Sequence, residues 1–307
     1  MKFSAQVNCY RTEWDDIRSV LEVMDAGCWH GVYHADHFVP PNAPRTDEPL
    51  TAYEGYSAIA AAAAITETLE LGHLVLGNTY RNPALVAKMA GTIDHISHGR
   101  FTVAIGAGWF KREHEAYGWT FPEMRERSDR LEEATAMLRA LFTANNEPVD
   151  FAGKYYQLDQ APFSPGGFEG RQIPIMIGGT GERRTLRTLA MYGDVLNVDG
   201  WAGRGMSVEL YREKVAVLNR HCEQVGRDPS EIRHTLLIPT RLSDEQADAD
   251  EFIQLIGPNT VAGNADYIVQ RLGEFAEGGV DEVMIGGIPN TAEDFQRFED
   301  DVIAAFD

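Results

Sequence analysis

Cysteine is scarce. Cys9, Cys28 and Cys222 are the only three in 307 residues. Odd in number and widely spaced, they exclude a disulfide framework and a metal knuckle. Long apolar runs are also missing. The longest apolar-looking stretch, 58–65, is alanine-rich and far shorter than the roughly 20 residues a helical membrane span needs. Positive charge is short as well: 27 Lys and Arg stand against 47 Asp and Glu, a formal charge of −20. A nucleic-acid surface wants a basic face, so that partner class is excluded, and an anionic cofactor needs a locally basic mouth. The opening residues MKFSAQV enter an alternating pattern with no apolar leader core, so a cytoplasmic location is expected. Gly-x-Ser-x-Gly, His-Glu-x-x-His, a Cys–His nucleophile pair and a P-loop ending are absent. Hydrolysis has little support, and a cofactor that carries its own reactivity has more.

What is present is a regular alternation of short apolar runs with helical periods. Strands are expected at 2–8, 31–38, 69–75, 101–105, 173–177, 195–198, 232–239 and 282–285, each followed by a helix. The helix after the third strand opens at Asn82-Pro83 and stops at His98-Gly99. A hairpin over 149–158 interrupts the series. An acidic connection over 242–263 is expected to hold one short helix and to act as a lid. The Pro-rich stretch 39–51 is too long for a minimal turn. Eight strand–helix units with no linker or composition break fit one (β/α)8 TIM barrel with insertions, spanning 1–307 as a single domain. A doubly wound open sheet is the runner-up fold.

In such a barrel chemistry sits at the C-terminal ends of the strands. His37, on the same strand face as Tyr33 and Ala35 by a period of two, is the histidine at such an end, and an imidazole there can move a proton near neutral pH. Gly106-Ala107-Gly108 admits a flat ligand to the backbone, with Trp109 adjoining as aromatic surface. Gly178-Gly179-Thr180-Gly181 precedes a helix expected over 182–192, a start that suits a phosphate, with Arg183 and Arg184 beside it. Trp201 follows the sixth strand. His95 and His98 lie at i, i+3 with no third ligand near, so no metal is expected.

Asp36-His37-Phe38, the run from Gly77 to Leu85, Asp94 to Arg100, Gly106 to Trp109, the Glu113-His114-x-Ala116-Tyr117-Gly118 motif and Ile177 to Glu182 together resemble the bacterial luciferase-like superfamily. Within it the chain is similar to the branch that uses the deazaflavin coenzyme F-420. The resemblance implies a (β/α)8 barrel and hydride transfer at the C5 position of the deazaflavin. It places the cofactor against Asp36, Leu74, Val75, Gly77, Gly106, Ala107, Gly108, Gly178, Gly179, Thr180 and Gly181. It puts a non-prolyl cis peptide at Leu74–Val75, the phosphate at Gly178–Gly181 and His37 beside the reacting ring. Trp109 and Trp201 face a small-molecule substrate. Trp109 departs from relatives that oxidise sugar phosphates or alcohols, which place an acid there; a flatter, more apolar substrate follows, and a second acid/base partner is unassigned. A homodimer is also implied. The alternatives are a two-component monooxygenase that uses flavin mononucleotide (FMN) and a barrel that binds a flavin without catalysis.

Overall fold

The computed structural model describes residues 1–41, 51–201 and 205–306. Most of the Pro-rich stretch 39–51 therefore lies outside the described residues. The order of elements is β1 (Lys2–Gln6), α1 (Trp14–Ala26), β2 (Gly31–His34), α2 (Gly55–Ile65), β3 (Glu70–His73), β4 (Leu76–Gly77), α3 (Pro83–Ile96), β5 (Val103–Gly106), α4 (Lys111–Tyr117), α5 (Met124–Phe142), β6 (Val149–Ala152), β7 (Gln157–Ala161), β8 (Ile175–Gly178), α6 (Thr185–Tyr192), β9 (Val195–Asp199), α7 (Val208–Val225), β10 (Arg233–Leu242), α8 (Gln246–Ile256), β11 (Val261–Gly263), α9 (Ala265–Glu277), β12 (Glu282–Gly286) and α10 (Ala292–Asp301).

The main sheet runs β3-β2-β1-β12-β10-β9-β8-β5-β4, and its pairs are parallel. β3 and β4 are two halves of one barrel strand. The lower half bridges Leu71 to Phe101, just before β5, and the upper half pairs Leu76–Gly77 with Ile105–Gly106. The ring closes as the expected TIM barrel of eight staves. β6 and β7 form the antiparallel hairpin outside it, running to Ala161.

The halves meet at Leu74–Val75, whose peptide is cis. Side chains alternate faces along a strand, but here Leu74 and Val75 both join the barrel interior with Tyr33, Ala104, Met176, Leu237 and Met284. The larger core lies between the ring and its helices, where Ile17, Leu21, Ile59, Ile93, Leu138, Leu189, Leu218, Leu272 and Phe298 are buried.

Local chemistry sets the helix ends. The Asn82 side chain accepts from the Ala84 N–H, Pro83 occupies the first turn, and left-handed His98 (φ 53°), with the Gly99 N–H returning to Asp94 O at 2.8 Å, ends α3. The C-terminal end of α2 is held differently. Arg100 donates to Ala63 O (3.2 Å), Thr66 O (2.6 Å), Thr66 Oγ1 (3.0 Å), Leu69 O (2.6 Å) and Ser97 O (2.8 Å).

Three boundaries that bear on the site differ from the sequence expectation. β2 stops at His34, because the Phe38 and Val39 N–H groups bond to a side chain instead of a neighbouring strand. α6 begins at Thr185, after a turn over 182–184. β10 runs past Pro239 to Leu242, where β11 supplies a partner. The connection 242–263 therefore holds a strand as well as α8. Among the described residues no helix is long and apolar enough to cross a membrane.

Candidate active site

The C-terminal end of the barrel is cleared by glycine. Gly77, Gly106, Gly178 and Gly286 end β4, β5, β8 and β12. A Cβ on Gly106 would lie 2.8 Å from a Val75 methyl, and one on Gly178 would lie 2.8 Å from both Val75 methyls. Any side chain at either position would collide with the bulge. Val75 is the half-buried floor of this mouth.

His37 stands at its rim, and its partner is a residue to which the sequence reading gave no role. His37 Nδ1 lies 2.6 Å from Glu113 Oε1. Glu113, on α4, is fully buried. It also accepts from Tyr80 Oη at 2.6 Å and from the backbone N–H groups of Phe38 and Val39. Burial alone would push the Glu113 carboxyl up, but His37, Tyr80 and the Phe38 amide together hold it below its ordinary value. Burial, with Glu113 adding to it, pushes the Tyr80 phenol well up, so it stays protonated and donates.

An ionised carboxylate only accepts, so Nδ1 carries the hydrogen. In the neutral ring Nε2 then keeps its lone pair. It makes no hydrogen bond among the described residues. The ring is wedged edge-on against Trp109 (5.5 Å) and Phe110 (5.7 Å), which stack on each other at 5.0 Å. Trp109 is 61% exposed and forms an outer aromatic wall.

Asp36 is used inward. Its carboxylate takes Arg81 through two bonds of 2.8 and 2.9 Å and the Gly77 N–H at 3.0 Å. Arg81 also bonds Glu54 and lies over the Tyr56 ring at 5.1 Å. Asp36 thus braces the strand just beyond Val75. Behind Gly108, Thr79 Oγ1 contacts His114 Nε2 at 2.8 Å, and the Gly108 carbonyl accepts from Arg127.

The Gly178–Gly181 arc differs from a simple helix start. The Gly179 N–H is spent on Asn197 O at 3.1 Å, Arg184 is paired with Asp129 and Glu182 with Lys214. Half-buried Thr180 and exposed Gly181 are the part left to meet a ligand. Trp201 packs at the mouth between the barrel interior and a patch around Phe252 of α8, so the segment expected to be a lid does touch the site. His95 and His98 lie edge-on to Phe168, at 5.6 and 5.3 Å, which accounts for their spacing by packing.

A cleft of about 420 Å³ opens at the opposite end of the barrel, lined by His30, Glu70, Arg100 and Arg233 among others. Its charges are already paired: Arg233 grips Glu70 at 2.5 and 2.8 Å. The mouth, with its free imidazole nitrogen and glycine-cleared floor, is the end equipped for chemistry.

The model of a family described as luciferase-like monooxygenase matches residues 2–268. Pyrimidine monooxygenase RutA of Allorhizobium ampelinum is 33% identical over 63% of this chain and 51% of its own length. An F-420-dependent glucose-6-phosphate dehydrogenase of Kineococcus radiotolerans is 30% identical over 74% of this chain and 64% of its own. The chain thus spans about half to two thirds of these relatives. A solved F-420-dependent secondary alcohol dehydrogenase, bound to an F-420–acetone adduct, superposes with a TM-score of 0.84 at 19% identity, covering 100% of this chain and 99% of that one. The family model's match over most of the chain shows that it belongs to the luciferase-like monooxygenase family.

Proposed function

We propose that the enzyme moves hydride between coenzyme F-420 and a small organic substrate, with His37 handling the proton and Glu113 as its positioning residue. The Glu113–His37 pair at 2.6 Å, beside a mouth cleared of side chains, is the observation that carries this reading. Bound, the deazaflavin would supply the hydride chemistry at C5. The residues present fit such a ring: Val75 offers an apolar floor, Gly106 and Gly178 leave it bare, and Thr180 and Gly181 would hold the phosphate of its tail.

The protein's own part is proton control. A substrate hydroxyl at His37 Nε2 can give up its proton there as hydride leaves its carbon, and in the reverse direction the imidazolium returns it. Glu113 fixes the tautomer and stabilises the cation. Trp109 against the His37 ring favours a flat, largely apolar substrate. The homodimer and the cytoplasmic location belong to the same proposal; sedimentation at micromolar concentration tests the first.

The test is a pair of fluorescence titrations of the apo-protein, one with F-420 and one with FMN, followed by turnover of His37→Ala. Preference for F-420 supports the reading. Full turnover by the loaded His37→Ala variant would remove His37 from its role. Similarity to RutA favours a second reading, an FMN-dependent monooxygenase, which preferential FMN binding and reductase-dependent oxygen uptake would bring forward.

A further inference from the structure

The strand order gives the mouth two opposite sides. With β3 and β4 counted as one stave, β10 stands four staves away in a ring of eight. The β10 corner therefore faces the Val75 floor and the His37 rim across the opening.

Along β10, Arg241 falls on the same face as Leu237, which lies inside the barrel; the shared face follows from the period of two. β10 outruns its last pair with β12, Pro239 with Gly286, so Arg241 rises above the barrel wall. Its guanidinium lies 4.8 Å from the centre of the Phe252 ring. Among the described residues it makes no ion pair or hydrogen bond, and its Nε is buried without a partner. In a chain of formal charge −20, whose other mouth arginine, Arg81, holds two carboxylates, a half-buried arginine with none stands out.

A second orphan donor sits in the same corner. Trp201 Nε1 is buried with no partner and lies 2.8 Å from the place of a Cβ on Gly286. The next residue, Gly287, is backed in the same way by Phe252, 2.7 Å from its Cβ position. Trp201 and Phe252 pack in one patch. The carboxylate of this corner, Asp199, accepts from the Trp201 backbone N–H at 2.7 Å and does not reach either side-chain donor in a hydrogen bond among the described residues. Two unpartnered donors, one of them a cation with a planar fork, match a group that only accepts, carries one charge and has two coplanar oxygens. Phosphate, with twice the charge, would want more cations than this corner offers.

We propose that Arg241 and Trp201 form a carboxylate-binding subsite, so that the enzyme acts on small organic acids. The carboxylate is seated at the β10 corner and the reacting carbon points back across the mouth toward His37. The hydride-transfer reading enters only in the claim that the bound acid is the substrate; the subsite itself stands on the two donors.

The test uses the full chain without cofactor. Benzoate, its neutral isostere benzamide and inorganic phosphate are titrated against intrinsic tryptophan fluorescence. Benzoate should bind at least tenfold more tightly than either of the others, Arg241→Gln should lose that preference, and Trp201→Phe should abolish most of the signal. Equal binding of benzoate and benzamide by the unaltered chain would overturn the subsite whatever the variants do. So would unchanged benzoate affinity in folded Arg241→Gln, folding being checked by circular dichroism. A parallel F-420 titration separates the two sources of carboxylate. If Arg241→Gln weakens F-420 as much as benzoate, the corner serves the cofactor and the substrate assignment is overturned; unchanged F-420 affinity supports it.

Discussion

The two ends of the barrel use equivalent interior positions in opposite ways. At the N-terminal end these positions carry large polar side chains. Arg233 holds Glu70, Tyr33 Oη and Thr102 Oγ1 add bonds of 2.8 and 3.1 Å to the same carboxylate, and Ser4 Oγ donates to Glu282 at 2.6 Å. Burial, reinforced by the Glu70 charge, pushes the Glu282 carboxyl up, while Arg233 overcomes burial and holds Glu70 far down. At the C-terminal end the positions are glycine, and the donors that remain are incompletely used. At the N-terminal end the charges hold one another, even though Arg233 Nε and Glu282 Oε2 lack a hydrogen-bond partner, and the pairing goes into stability. Where partners are withheld, a ligand can supply them.

The largest expected effect breaks the closed end. Arg233→Met leaves Glu70 and Glu282 buried without their cation, and removing one partner of a buried pair costs about 3–5 kcal/mol. The thermal midpoint should drop by many degrees, with FMN or F-420 affinity of the folded fraction unchanged. A fall corresponding to under about 1 kcal/mol would show the lower cluster to be dispensable.

Next comes the open end. Glu113→Gln keeps the shape but replaces the acceptor of His37 Nδ1–H with a group that can also donate. Turnover should fall roughly 100-fold, within the range of general acid–base contributions. The pH–rate profile should change as well, with a smaller stability loss than in Arg233→Met. Intact turnover with an intact profile would make the pair structural only.

A smaller change fills the mouth. Gly178→Ala sets a methyl against Val75, and cofactor affinity should fall about tenfold, in line with overpacking costs of about 1–3 kcal/mol. Val75→Ala in that background should restore it if the clash at 2.8 Å is the cause.

The smallest difference expected is none at all. His34 and His73 lie in the shell outside both ends, and burial pushes their imidazoles down to about 4 and about 3. Unfolded histidine titrates near about 6.5. Between pH 6.5 and 4 the unfolded chain binds protons that the folded chain does not, so stability falls as pH falls through that window. Midpoints measured from pH 7 to 5 should decline in parallel in the native chain and in Gly178→Ala, which alters no titrating group. His73→Phe should flatten the slope.

The barrel was legible because strand and helix periods are local signals. The strand-end glycines and His37 were legible because a barrel places its site at those ends. Glu113 received no role because it acts on a residue 76 positions away, from a helix, KREHEAY, that is mostly polar and shows no apolar stripe. Arg241 was hidden by Pro239, which reads as the end of a strand; only the pairing with β11 shows that the strand continues. Glu182 looks like the acid of a first helical turn, but it answers Lys214 from a neighbouring helix.

Arg100 ties events that local sequence would keep apart. Its five acceptors belong to the end of α2, the lead into β3 and the turn after α3. The last turn of α2 cannot fray alone without forfeiting bonds made by a side chain two units further along the chain. In hydrogen exchange the amides near Thr66 and those near Ser97 should open as one cooperative unit. Arg100→Lys, with a single ammonium in place of the fork, should let them exchange independently.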